Sequence, residues 1–171
     1  MTDDRQARVF AAVSEFEMRL LRYALRLCGD EGWAADAVQE TFLRLCQADW
    51  EAVEGRLAEW LFTVCRSRVF DRLRKEGRMK RMGESEERLV SASVTEPLDE
   101  MERRERGQSV RAAVSRLPER EREAVRLKFQ EGMDYHQIAR VIGATENHVG
   151  VLIHRGIAAL RKALADVEQV R

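Results

Sequence analysis

The sequence predicts an all-α protein in which two small helical domains are joined by a flexible acidic linker, the second containing a helix-turn-helix. Alanine, leucine, arginine and glutamate dominate the 171 residues and proline occurs only twice, a composition that favours helix. Apolar residues recur every three or four positions through most of the chain, as amphipathic helices require. This pattern fails between residues 77 and 98, where glycine, serine and charged residues are frequent, so we expect a linker there.

The first domain is expected over residues 1–82 and consists of three amphipathic helices. Their apolar stripes place them at about residues 9–27, 33–48 and 57–75. Residues 49–55 lack such a stripe and are interpreted as a connection. The three cysteines of this domain are widely spaced and lie in apolar helical stretches. We therefore expect Cys28, Cys46 and Cys65 to be small core residues, with no metal site and no disulfide framework.

The linker is expected over residues 83–104 and the second domain over residues 105–171. Four shorter helices are predicted in the second domain. Pro118 suits the first turn of its second helix, and Gly143 divides the last two helices. The inward stripe of its first helix consists of Val110, Ala113, Val114 and Leu117.

Charge alternates in blocks along the chain, although the formal net charge is zero. The net charge is −5 over residues 1–54, +6 over 55–81, −4 over 82–108 and +3 over 109–171. Such blocks suggest separate surfaces for separate partners, and the two positive blocks could meet a polyanion such as nucleic acid. Solvated helix faces are the simpler interpretation, which suits a single charge better than a block of +6.

Several classes of function find no support in the sequence. No run of 18 apolar residues is present to span a membrane, and the acidic N-terminus lacks the apolar region of a signal peptide. We therefore expect a cytoplasmic location without membrane insertion. The sequence also contains no zinc-ligand spacing, no nucleophile–base set and no phosphate-binding glycine loop. Neither enzyme activity nor a cofactor is expected.

The C-terminal end of the chain carries the spacing of a helix-turn-helix. Asp134 and Thr145 can cap two successive helices, and Gly143 can adopt the positive φ of the turn between them. Ala139 lies four residues before this glycine and Val149 six residues after it, which allows a close helix contact and a buried wedge. A plain helical hairpin with a glycine turn is the alternative interpretation.

The second helix of a helix-turn-helix enters the major groove of DNA by its N-terminal part. Arg155 can reach a phosphate or a guanine, Asn147 can pair with adenine, and Val151 can contact a thymine methyl group. Glu146 argues against DNA binding, because a carboxylate repels phosphate. Gly150 inside a helix costs up to about 1 kcal/mol.

A second pattern lies in the first half of the chain. Eight positive charges gather within residues 66–81, and the aromatic residues Trp50, Trp60 and Phe62 lie before or among them. Basic charge beside aromatic rings is how proteins hold unpaired bases. A solvated helix end and a core role for Trp60 are the alternatives. The outward polar stripe of the preceding helix contains Asp36, Gln39, Glu40 and Arg44.

Taken together, the two halves resemble the sigma factors of bacterial RNA polymerase, and most closely the extracytoplasmic-function (ECF) group, which keeps two conserved domains. Residues 36–44 (DAVQETFLR) resemble the polymerase-binding helix of the family. Residues 60–66 (WLFTVCR) and 71–74 (DRLR) resemble its promoter-melting helix. Residues 117–125 (LPEREREAV) resemble the opening of its last domain, and residues 135–155 are similar to its helix-turn-helix. The resemblance covers roughly residues 10–82 and 105–165.

This resemblance implies a transcription initiation factor that binds core RNA polymerase, melts the minus-ten promoter element and reads the minus-thirty-five element. Residues 49–56 would receive a flipped base, and the linker would thread a basic channel of the polymerase. The residues that would bind polymerase are Asp36, Gln39, Glu40, Leu43 and Arg44. Those that would hold minus-ten DNA are Arg56, Arg66, Arg68, Arg72, Arg74 and Lys75. Those that would read the minus-thirty-five element are Thr145, Asn147, His148, Val151, His154 and Arg155. An anti-sigma factor is a further partner that the family often has.

The chain departs from the family pattern at three places. Ser67 stands where the family often has asparagine. Gly150, Val151 and Leu152 stand where the recognition helix usually has basic or hydroxyl residues. Residues 49–56 are acidic, which is unusual for a segment that would contact DNA.

Two other functions stay open on the sequence. One is an ordinary regulator that uses the helix-turn-helix alone, which would leave the polar stripe and the basic helix of the first half unexplained. The other is an adaptor that acts without sigma activity. The apolar residues at 150–153 support this second alternative.

Overall fold

The computed structural model describes residues 2–77 and 98–169, which form helices and turns with no β-strand in these two ranges. The predicted all-α fold is confirmed, and the chain divides into two compact units, the first holding α1–α4 and the second most of α5–α8. The helices are α1 (Thr2–Cys28), α2 (Glu31–Gln47), α3 (Trp50–Val53), a 3-10 turn (Glu54–Arg56), α4 (Leu57–Lys75), α5 (Leu98–Ser115), α6 (Glu119–Phe129), α7 (Tyr135–Ile142) and α8 (Glu146–Gln169).

In the first unit, α1, α2 and α4 pack against one another. The rings of Tyr23 and Phe62 meet between α1 and α4, with centroids 5.0 Å apart. Asp30 caps α2 by accepting a hydrogen bond of 2.8 Å from the Trp33 N–H. The apolar stripes supply the buried side chains, among them Phe16, Leu20, Ala24, Leu27, Ala34, Val38, Leu45, Leu61, Phe62, Cys65, Val69 and Leu73.

Three predictions for this unit are wrong. The expected connection after α2 is largely helical, because Asp49 accepts a hydrogen bond from the Glu51 N–H and caps α3, and Val53 is buried. Cys46 is exposed, since it follows Leu45 on α2 and so lies off the buried stripe. Phe62, expected among the aromatic residues beside the basic charges, is fully buried. Of the other two cysteines, Cys65 is buried as predicted and Cys28 is half-buried.

In the second unit, α5 and α6 pack against α8. The closest approach is at Gly156, where a Cβ atom would lie 2.7 Å from Cγ2 of Val125. Real Cβ atoms essentially never approach so closely, so a larger residue at position 156 would require Val125 or one of the two helices to shift. Val110 is 42% exposed, contrary to the prediction that it belongs to the inward stripe of α5, whereas Val114 is buried. The last helix is long rather than short, with 24 residues.

Most of the predicted linker, residues 83–97, lies outside the described residues. Helix α5 begins at Leu98, which is inside the predicted linker range of 83–104. The sequence pattern missed this start because the first turns of α5 lack an apolar stripe. Apart from Asp99, they consist of leucine, glutamate, methionine and arginine, residues with high intrinsic helix propensity.

Candidate functional site

The outward stripe of α2 forms the first candidate surface, which we call the α2 face (Asp36, Gln39, Glu40, Leu43 and Arg44). These side chains share one side of the helix, while Ala37, Val38 and Thr41 are buried on the other. Leu43 is 52% exposed and gives this otherwise polar face one apolar side chain. Within the face, Arg44 Nε lies 3.1 Å from Glu40 Oε1, a helical ion pair one turn apart.

Basic residues before and along α4 form the second candidate surface, which we call the basic set (Arg56, Arg66, Arg68, Arg72, Arg74 and Lys75). Several of these side chains are already engaged within the unit. Arg68 Nη2 lies 2.7 Å from Asp71 Oδ2, and Arg74 pairs with the other oxygen of the same carboxylate. The guanidinium of Arg66 stacks on the Phe70 ring at 4.2 Å. Arg56, which precedes α4, donates to the Ala52 carbonyl at 3.1 Å.

The α2 face and the basic set meet across a cleft between α2 and α4. Arg72 Nη1 lies 2.7 Å from Asp36 Oδ2, although the two residues are 36 positions apart in sequence. The guanidinium carbon of Arg72 lies 4.6 Å from the centroid of the Trp33 ring. Neither this ion pair nor the role of Trp33 was predicted, because the apolar stripes do not fix how two helices are rotated against each other. The cleft is also lined by Cys28 and Val69.

Aromatic side chains near the basic set are less available than the sequence suggested. Phe62 is part of the core, which removes it as a partner for an unpaired base. Trp60 and Trp50 are half-buried. The Trp50 ring is covered on one side by the Arg8 guanidinium, 5.9 Å from its centroid. Arg8 also pairs with Glu54 at 3.1 Å, which neutralises part of the acidic charge of the 49–56 segment.

The helix-turn-helix forms as predicted. The Asp134 carboxylate accepts from the Gln137 N–H at 2.8 Å, and the Gln137 side chain accepts from the Asp134 N–H at 3.0 Å, a reciprocal cap at the start of α7. Gly143 has φ of +65° and ends α7, and the Ala144 N–H bonds back to the Ala139 carbonyl at 2.9 Å. The Thr145 hydroxyl then caps α8.

The side chains of α8 divide into a buried set and an outward set. Ala139 is 6% exposed and Val149 is fully buried, as their spacing predicted. Leu152 and Ile153 are also buried, so only Val151 of the stretch at 150–153 is an exposed large apolar residue. The apolar patch that supported an adaptor function is therefore absent from the described surface of α8. The predicted base-reading residues Thr145, Asn147, His148, Val151, His154 and Arg155 are all exposed.

Two contacts beside this surface were not predicted. His136 Nδ1 lies 2.9 Å from Glu146 Oε1, which gives the carboxylate at the start of α8 a partner within the unit. Tyr135, 40% exposed, lies against Gly150, where a Cβ atom would be 3.6 Å from its ring. Lys128 Nζ lies 5.3 Å from the centroid of the same ring. Tyr135 therefore fills the space beside the recognition helix that a glycine leaves open.

The cysteines do not form a reactive or metal-binding centre. Burial raises the pKa of the Cys65 thiol to about 12, and burial also raises the pKa of Cys28. No group of three or more histidine, cysteine or acidic side chains within the described ranges could hold a metal ion. Among the same residues, no helix is both long and apolar enough to cross a membrane.

Comparison with known proteins identifies both units. Residues 12–79 match the family model of sigma-70 region 2, and residues 107–160 match that of sigma-70 region 4. The ECF RNA polymerase sigma factor SigL of Mycobacterium tuberculosis is 32% identical over 165 residues, which cover 94% of this chain and 91% of SigL. SigK of Mycolicibacterium vanbaalenii is 28% identical over 171 residues, with 94% of this chain and 84% of SigK covered.

SigE of Mycolicibacterium smegmatis, also an ECF sigma factor, is 33% identical over 149 residues. The match covers 86% of this chain but 58% of SigE, so this chain spans less than two thirds of that relative. A solved structure of an RsbN–BldN complex matches over 95% of this chain with 22% identity and a TM-score of 0.33. Since SigL is aligned over nearly its whole length and both sigma-70 regions are present in order, this chain belongs to the ECF family of RNA polymerase sigma factors.

Proposed function

We propose that this chain binds core RNA polymerase and directs it to specific promoters, and that it catalyses no reaction of its own. The observation that carries the proposal is that one chain holds both a region 2 unit and a region 4 unit. A protein with both can engage the polymerase and two separate promoter elements at once. Its place of action is then the cytoplasm, where bacterial RNA polymerase works.

The α2 face is the surface that we assign to polymerase. Its exposed Leu43 and polar neighbours on one side of a well-packed helix have the mixed character of a protein interface, where an apolar centre is surrounded by polar side chains. A helix held by a buried stripe also presents its outer side without rearrangement.

The basic set and the 49–56 segment are the surface that we assign to the minus-ten element. Arginine and lysine at the end of α4 suit phosphate contacts, which position the strand without reading its sequence. Of the three aromatic residues that the sequence analysis set beside these charges, the half-buried Trp50 and Trp60 remain as stacking partners for a base once Phe62 is excluded.

The exposed side of α8 is the surface that we assign to the minus-thirty-five element. Asn147 and Arg155 offer the polar groups that read base edges, and Val151, 44% exposed, offers an apolar contact to a thymine methyl group. One oxygen of the Glu146 carboxylate lies 2.9 Å from His136 Nδ1, so this side chain is held against α7 at the start of α8.

The direct test is to mix the purified chain with core polymerase and to measure both binding and promoter-specific initiation in vitro. Stoichiometric binding with initiation supports the proposal. Tight binding to duplex DNA without polymerase would instead support a helix-turn-helix regulator. Binding to polymerase without initiation at any promoter would support an adaptor.

The assignment of the α2 face has its own test, with a matched control on α1. Leu43→Arg should weaken binding to core polymerase at least about tenfold, since it places a charge in the apolar centre of the interface. Met18→Arg makes the same change at a residue that is 57% exposed on a different helix. Met18→Arg should change the affinity less than about twofold, and equal losses would contradict the assignment.

A further inference from the structure

We propose that Asp36 holds Arg72 in the free factor and releases it for nucleic acid when polymerase occupies the α2 face. The inference rests on the proposed function and concerns its regulation. Its starting point is that a residue of the α2 face and a residue of the basic set form one ion pair of 2.7 Å across the α2–α4 cleft. The Asp36 carboxylate therefore belongs to the proposed polymerase surface and also pairs with Arg72 of the proposed DNA surface.

The guanidinium of Arg72 is fixed from two sides. Asp36 takes one edge of its planar fork, and the Trp33 ring lies 4.6 Å from its central carbon. A phosphate is recognised through the same N–H groups and with the same planar geometry as a carboxylate. Arg72 cannot give the paired N–H to a phosphate while Asp36 holds it, so Asp36 competes with DNA for this side chain.

The Asp36–Arg72 ion pair is weak enough to be exchanged for other partners. The side chain of Arg72 is 38% exposed and that of Asp36 is 66% exposed, so solvent screens their attraction. Exposed ion pairs of this kind contribute little to stability and are readily exchanged for other partners. A cationic group on the docked polymerase that pairs with Asp36 would leave Arg72 stacked on Trp33, with its fork open to a phosphate.

The ion pairs of Arg68 and Arg74 do not connect the basic set to the α2 face. Arg68 and Arg74 both pair with Asp71, which lies on α4 itself, so their pairing does not depend on the α2 face. Arg66 stacks on Phe70, also on α4. The Asp36–Arg72 pair links the α2 face to a residue of the basic set, so a change at the first surface can reach the second.

The test measures the affinity of the full-length chain, without polymerase, for a fluorescent single-stranded oligonucleotide of mixed sequence at several salt concentrations. Asp36→Asn should raise the affinity about two- to fivefold, the range that an exposed ion pair contributes. It should also steepen the dependence of log affinity on log salt by about 0.7, the value for one additional phosphate contact on single strands. Asp36→Ala, which cannot accept a hydrogen bond at this position, should behave in the same way.

The matched control is Glu31→Gln, which removes one negative charge from an exposed position on the same helix. It should change the affinity less than about twofold. A second control places Asp36→Asn in an Arg72→Gln background, where it should no longer change the affinity. With saturating core polymerase, the wild type and Asp36→Asn should bind the oligonucleotide equally, because the wild-type pair is then already open.

Two outcomes would overturn the inference. If Asp36→Asn and Glu31→Gln raise the affinity equally, the effect is one of net charge and not of the pair. If Asp36→Asn and Asp36→Ala leave affinity and salt dependence unchanged, Asp36 does not compete with DNA. Failure of the proposed function would look different, since the wild-type chain would then not bind core polymerase or support initiation in the parallel assay.

Discussion

In the first unit, three arginines of the basic set are paired with carboxylates of the same unit, whereas no carboxylate in the part of the chain that the structure describes pairs with Arg155 of α8. Both surfaces contain arginine, and both are proposed to meet DNA. Their arginines nevertheless start from different states, since those of the first unit are paired with protein carboxylates and Arg155 is exposed to solvent.

This difference affects what each arginine can contribute to DNA binding. An arginine that gives up a carboxylate for a phosphate exchanges one ionic contact for another and gains little net free energy. A solvated arginine gains a contact and loses only water. The number of positive charges therefore overstates the affinity of the first unit for DNA. For the second unit, the same number is a better guide to affinity.

The largest expected effect concerns the core that supports the first surface. Phe62→Ala should lower the free energy of unfolding by about 3–5 kcal/mol, the usual cost of removing a buried phenylalanine. The loss should also remove the cleft that holds Arg72, because Phe62 packs α4 against α1. Denaturant unfolding measures the change.

Phe10→Ala is the control for this prediction, since Phe10 lies on α1 and is 74% exposed. It should change stability by no more than about 0.5 kcal/mol. Equal losses for the two variants would mean that α4 is not anchored by Phe62.

The second effect separates the two surfaces directly. Arg155→Ala should weaken contact with the upstream promoter element by about 1–3 kcal/mol, the range for an arginine that reads a base. Footprinting of the polymerase-bound chain measures this contact. Arg116→Ala removes the same charge from an exposed position at the end of α5 and should leave the footprint at full strength. A full-strength footprint with Arg155→Ala would remove this residue from the model.

The third effect compares two glycines, one before α4 and one between α7 and α8. Gly143 has φ of +65°, so Gly143→Ala should lower the free energy of unfolding by about 1–2 kcal/mol, the cost of a left-handed conformation for a residue with a Cβ atom. Gly55 does not have a positive φ, and a Cβ atom there would meet nothing within 4 Å. Gly55→Ala should therefore be neutral within about 0.5 kcal/mol. A neutral Gly143→Ala would show that the turn tolerates other backbone geometry.

The smallest effect concerns the three cysteines of the first unit, which should differ in their rates of alkylation. At pH 8 iodoacetamide should modify the exposed Cys46 first and Cys65 last. A thiol whose pKa is raised to about 12 stays protonated at pH 8, and the protonated thiol is not the nucleophile. Peptide mass spectrometry follows the rates, and in urea all three cysteines should react alike. Labelling of Cys65 as fast as Cys46 in the folded chain would contradict the packing of α4.

The sequence predicted features that depend on spacing along a single helix. The bounds of α4 at Leu57–Lys75 follow from its apolar stripe, and the caps at Asp134 and Thr145 follow from residue type and position. The helix α3 was missed because four residues are too few to show a period. The apolar patch expected at residues 150–153 is reduced to Val151, because Leu152 and Ile153 are buried.

Contacts between helices could not be predicted in the same way. The Asp36–Arg72 pair requires a particular rotation of α2 against α4, which large and small buried side chains decide together. The residues proposed for polymerase and DNA contact were found from family resemblance and exposure, and their roles stay predictions until the variants above are measured.

The glycine at 156 limits how this factor could be given a new promoter preference. Asn147, His148, Val151, His154 and Arg155 are exposed and can be exchanged with little effect on the packing of the unit. One position further on, any graft must keep glycine or shorten Val125, since a methyl group there would collide with it. A transplanted recognition segment that ends before Gly156 should therefore keep the original tilt of the helix, whereas a longer one would alter it.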